Sequence, residues 1–167
     1  MDNQKANELL MKWPEFTKEF LNESDRSAVI FSCSLIDDLL GQILKAFFIE
    51  GDISKKLIYG ENALLGDFTS RIQCLYALGL ICKNKYADLN KLKELRNIFS
   101  NEWGDIDLGD EKMVKICRSM HNIRKDISPE VQLPRECFNS VIGVLFTQLS
   151  HIATITSHQQ ELVNQSS

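Results

Sequence analysis

Residues 28–49 form the most apolar stretch of the chain, and the charges inside it decide what kind of fold it can enter. Asp37, Asp38, Gln42 and Lys45 interrupt the run. Charges at mid-span are expensive in lipid, so the stretch reads as a buried core helix and not as a membrane span. Ser24 stands where an N-cap is needed and Gly51 supplies the stop, which sets a helix over 24–49. Its polar stripe is narrow: Ser27, Ser34, Asp38, Gly41 and Lys45 recur at helical spacings. A helix apolar around most of its circumference must be surrounded by others, so this is the central element.

The remaining chain reads as further helices with short connections. Only eight glycines and three prolines punctuate it, and no strand-like alternation is sustained. Helices are predicted over Asn3–Leu21 (interrupted at Pro14), Ser54–Tyr59, Asp67–Leu80, Lys83–Asn101, Asp110–Lys125 and Arg135–His158. In the last of these, Phe138, Val141, Ile142, Leu145, Leu149 and Ile152 share one face. The fold class is therefore all-α: an antiparallel bundle of six to seven helices around 24–49. One domain is expected over 1–158, with a polar tail over 159–167 that frays. At 167 residues, 44% of them hydrophobic, such a chain needs no disulfide or metal to fold. The five cysteines include no CxxC pair, and small buried hydrophobes are the expectation for them. The N-terminus lacks the basic and apolar regions of a secretory signal, so the expected compartment is the cytoplasm.

Chemistry has few places to reside. The three histidines, His121, His151 and His158, are scattered, and no GxSxG, HExxH, P-loop or GxGxxG occurs. No catalytic residue, metal site or cofactor is expected. Two arginines fall on apolar faces: Arg96 lies about 20° from Leu89, and Arg71 about 40° from Leu75. A buried guanidinium cannot lose its proton and must find acceptors. Asp37 flanks the polar stripe of the central helix, Asp38 lies on it, and Asp88 precedes Arg96 by two turns. Asp37, Asp38, Arg71, Asp88, Arg96 and Asn97 thus form either a structural ion-pair network or a small pocket for an anion or partner peptide. Arg96 is predicted to pair with Asp37 first and Asp38 second.

Nucleic-acid signals are weak. The net charge is −4, and the one basic cluster is Lys112, Lys115, Arg118, Arg124 and Lys125. It contains no basic recognition helix following a glycine turn, so duplex DNA is not an expected partner. Val144 and Ile155 lie off the main stripe of the last helix, and a homodimer could cover them.

Leu64-Leu65-Gly66-Asp67-Phe68-Thr69-Ser70-Arg71-Ile72, followed by Tyr76-Ala77-Leu78-Gly79-Leu80-Ile81, resembles the mannitol operon repressor (MtlR-like) family. Leu35-Ile36-Asp37-Asp38-Leu39-Leu40 and Leu95-Arg96-Asn97-Ile98-Phe99 also follow that family's pattern. The resemblance covers most of 26–103. It implies a transcription-linked regulator of sugar-alcohol utilisation which, lacking a DNA-reading element, acts through protein contacts. Arg96-Asn97-x-Phe99 is also similar to the R-N-x-F-x-H signature of HEPN-type helical domains, some of which cleave RNA. Asn101 replaces the histidine and cannot act as a general base, so this second resemblance implies a module that binds RNA or a protein without cutting.

Overall fold

The computed structural model describes residues 20, 22–121 and 133–165, the last five as backbone alone. The predicted helix over Asn3–Leu21 lies outside these residues apart from its end, where Phe20 is helical and buried. Six helices run through the described residues: α1 Asp25–Phe47, α2 Asp52–Ile58, α3 Phe68–Ala77, α4 Lys83–Asn101, α5 Glu111–Arg118 and α6 Pro134–Gln165.

α1 begins where the Ser24 hydroxyl accepts the Ser27 amide at 3.2 Å. Asp25 in its first turn and Lys45 in its last complement the helix dipole. Ala28, Val29, Cys33, Ile36, Leu39, Leu40, Ile43 and Leu44 are completely buried along it. α2, α3, α4 and α6 all pack on α1, which makes it the central element its composition predicts.

Direction follows from contacts at the two ends. Arg26, near the start of α1, reaches the Phe99 carbonyl near the end of α4, while Cys33 faces the Leu92 carbonyl. These two helices are antiparallel. α6 instead runs with α1: Arg135 meets Asp25 at one end, and Gln160 donates to the Phe48 carbonyl at the other. The α6 side chains Phe138, Val141, Ile142, Leu145, Phe146 and Leu149 close the core. By length and composition α1 and α6 are apolar enough to cross a membrane, but here each spends its apolar side on the shared core.

The ends of the shorter helices have local causes. Asp67 caps α3, accepting the Thr69 and Ser70 amides at 2.8 and 3.1 Å. α3 stops at Ala77, short of the expected Leu80, because Gly79 adopts φ +71°. Its amide then reaches the Tyr76 carbonyl and that of Leu80 reaches Leu75, both at 3.0 Å. This is a Schellman cap. α5 ends at Arg118, short of the expected Lys125, in a tight turn where Ser119 and Met120 bond back to Ile116 and Cys117. α6 continues past His158 to Gln165, through part of the tail expected to fray.

Candidate functional site

The buried polar centre of the fold is Arg71. α3 carries it inward, where the residue is 6% exposed. Its Nε donates to the Leu65 carbonyl at 2.8 Å, and Nη2 to the Ile58 carbonyl at 3.2 Å. Nη1 donates to both the backbone oxygen and Oδ1 of Asp37, at 3.1 and 2.9 Å. One guanidinium therefore ties α1, the end of α2 and the turn before α3 together. The Tyr59 ring lies beneath it, 5.7 Å from centroid to Cζ. Gly41, one turn beyond Asp37, supplies the room: a Cβ there would stand 3.3 Å from Arg71 Cζ and Nη1.

Asp37 is the partner assigned from the sequence to Arg96, and that pairing is corrected. Periodicity places a side chain on a face of its own helix but does not say at what height a neighbouring helix crosses. α3 crosses α1 at Asp37, and Arg71 takes the carboxylate. Arg96 is half-buried and makes no hydrogen bond or ion pair among the described residues. It still acts at a distance on Asp37, whose carboxyl is raised above its ordinary value by burial, against the pull of Arg71 and Arg96.

The other expected members are dispersed. Asp38 and Asn97 are exposed. Asp88 is completely buried, but its partner is His121: Oδ1 accepts the His121 backbone amide at 2.8 Å and lies 3.0 Å from Nδ1. Asp88 thus holds the end of the α5 turn against α4. The six residues do not form one pocket. In the basic cluster, Lys112 pairs with Glu102 at 3.6 Å and Lys115 with Glu111 at 2.5 Å, while Arg118 is exposed. Arg124 and Lys125 lie outside the described residues.

Cys33, Cys117 and Cys137 are buried, as expected of small hydrophobes, whereas Cys74 is half-buried and Cys82 exposed. Burial pushes the thiols of Cys33 and Cys117 up to about 12. Among the described residues, no group of three or more acidic, histidine or cysteine side chains is placed to hold a metal ion.

Two arginines that the sequence reading did not single out as site residues hold the opposite end of the bundle. Arg26 donates to the carbonyls of Phe99, Glu102 and Gly104. Arg135 donates to the carbonyls of Phe20 and Glu23, pairs with Asp25 and stacks over the Phe20 ring at 5.2 Å. Both stand in the first turn of their helices, in line with buried Val29 and Cys33 or with buried Phe138 and Ile142, so the periodicity that marked Arg71 was present for them as well.

The family sequence model described as Mannitol repressor matches residues 18–152. No curated protein matches the chain. Among solved structures, the chain is similar to one in the X-ray structure of the MtlR-HPr complex from Escherichia coli, with 18% identity and a TM-score of 0.62. That likeness covers 91% of this chain and 98% of the other. At such identity the likeness is one of fold.

Proposed function

The chain belongs to the mannitol repressor family, and from that premise we propose that it is a cytoplasmic regulator of sugar-alcohol utilisation, acting through protein contacts and not by reading DNA or by catalysis. The observation that carries the proposal is the internal commitment of its polar side chains. Arg71 and Asp88 are spent on backbone and side-chain groups of the fold itself. Among the described residues of the basic cluster, Lys112 and Lys115 are each paired with a carboxylate, which reduces the charge they offer to phosphates.

A protein partner is further supported by the structural relative, which was crystallised in a complex with HPr; an HPr-type protein is our proposed partner for this chain as well. The RNA-binding alternative has Asn97 and Asn101 at the surface and Arg96 half-buried, but a net charge of −4 gives phosphates little to bind.

Three measurements test the reading. Deleting the gene should change expression of a reporter fused to the mannitol operon of the same cell, and complementation should restore it. Titration calorimetry with HPr should give saturable binding, while fluorescence anisotropy with duplex DNA from upstream of the operon should show only weak, steeply salt-dependent association. Nanomolar, sequence-specific binding of that duplex by the isolated protein would refute the mechanism.

A further inference from the structure

The loop between α4 and α5 carries an unusual combination of rigidity, exposure and charge. Trp103 is 98% exposed, although tryptophan is the side chain that gains most from being covered. The loop beneath it is pinned on both sides. Arg26 of α1 bonds the carbonyls of Glu102 and Gly104, each at 3.1 Å, and that of Phe99. Beyond the tryptophan, Leu108 is fully buried and its amide donates to Asp25 Oδ2 at 2.7 Å. Asp107 accepts the Gly109 amide at 2.6 Å, which tightens the turn. The indole is thus presented to solvent by a backbone anchored to the start of α1, and a preorganised side chain loses little freedom on binding.

The charge around it restricts what can bind. Glu102, Asp105, Asp107, Asp110 and Glu111 give residues 102–111 a formal charge of −5, against −4 for the whole chain. The rest of the chain therefore sums to about neutrality, and the excess negative charge is concentrated here. An exposed tryptophan suits three surfaces: stacked bases, a lipid headgroup layer, or an apolar pocket on a protein. Lys112 and Lys115 pair with Glu102 and Glu111, so the net negative charge rests on Asp105, Asp107 and Asp110; nucleic acid and anionic lipid both present phosphates, which these three carboxylates repel. A protein pocket remains, and the carboxylates select one with a cationic rim.

We propose that Trp103 is the anchor by which this protein docks a partner protein whose surface offers an apolar pocket rimmed by lysine and arginine. The proposal rests on the reading that the chain works through protein contacts; it adds the surface and the chemistry of what meets it.

The test is site-specific photo-crosslinking of the full chain in its own cells, with a benzophenone amino acid at position 103 and, as control, at the exposed Glu94 of α4. A single protein adduct is expected at 103, with its crosslinked peptide rich in Lys or Arg. It should be absent at 94 and lost when Asp105→Lys and Asp107→Lys are added. With that partner purified, Trp103→Ala should weaken binding at least tenfold while leaving the melting temperature unchanged. If the adduct is HPr, the surface and the proposed partner both stand. If it is another protein with a basic contact peptide, the surface stands and the HPr reading falls. No adduct at 103, an adduct insensitive to the charge reversals, or one to nucleic acid or lipid overturns the proposal.

Discussion

Replacing Arg71 by methionine removes four hydrogen bonds at one stroke: to the carbonyls of Leu65, Ile58 and Asp37, and to the Asp37 carboxylate. Breaking a buried ion pair from one side costs about 3–5 kcal/mol, and each orphaned acceptor adds to the deficit. A loss of about 4 kcal/mol is the expected result, a large share of a marginal total stability. The distinguishing measurement is the double variant Arg71→Met/Asp37→Leu. For an isolated ion pair, removing both charges recovers most of the loss. Here three of the four bonds go to main-chain oxygens that Asp37→Leu leaves in place, so recovery should stay near about 1 kcal/mol. Arg71→Lys keeps the charge but cannot span Leu65 and Ile58 together, and should lose about 2 kcal/mol. Urea titrations followed by far-ultraviolet circular dichroism give all three values. Full recovery in the double variant, or a loss under about 1 kcal/mol for Arg71→Met, would refute the view that this arginine clamps backbone.

Gly41→Ala should gain about 1 kcal/mol of helix propensity yet destabilise the wild type by about 1 kcal/mol net, because the new methyl meets the Tyr59 hydroxyl at 3.1 Å and a guanidinium that four bonds hold still; in an Arg71→Ala background, where only the Tyr59 hydroxyl remains in the way, the same change should cost less, as read by the same titrations. Gly79→Ala, where nothing stands within 4 Å of the new Cβ, should lose about 1 kcal/mol from the positive φ alone, and Gly79→Asn less. Asp67→Ala should cost about 1 kcal/mol at neutral pH through the lost cap, and Asp67→Asn a fraction of that. Hydrogen bonds from Ser70 hold the Asp67 carboxyl below its ordinary 3.8, so its stabilisation is present above that value and is lost as pH falls through the folded one. The stability gap between wild type and Asp67→Ala should close in acid; a gap that widens there would contradict the assignment.

What periodicity could reveal was the face of each helix. The apolar stripe Leu89, Leu92, Leu95 and Phe99 is buried, and α4 starts and stops where the pattern does. Arg71 was legible as inward-facing for the same reason. Its partner was not, because the level at which α3 crosses α1 depends on Gly41, which in the sequence looks like one more member of a polar stripe. The end of α5 was hidden in a different way. The His121 amide is taken by Asp88, 33 residues earlier, and no local signal announces a contact of that range. Parallel packing of α6 on α1 likewise shows only in pairs such as Asp25 with Arg135, 110 residues apart.

The block that most specifically resembles the family can now be read residue by residue, and nearly all of it is spent on folding. The Leu65 carbonyl receives Arg71; the Gly66 amide closes a turn on Ala63 at 3.0 Å; Asp67 caps α3. Phe68, Ile72 and Leu75 are buried, and Leu78-Gly79-Leu80 forms the Schellman exit. Such a block states that a chain carrying it will bring α1, α2 and α3 together around one guanidinium. The side chains it leaves exposed are few: Leu64, Asp67, Tyr76, Ala77 and Leu78, of which Asp67 is already used as the α3 cap. Choice of partner must then be written elsewhere, in segments the fold does not need for packing, and the acidic loop bearing Trp103 is the clearest of these. It follows that a chain keeping the block but carrying neither an aromatic at 103 nor the flanking acids should adopt the same bundle and fail to bind this chain's partner. Grafting residues 102–111 into such a chain should transfer the binding without changing its melting temperature.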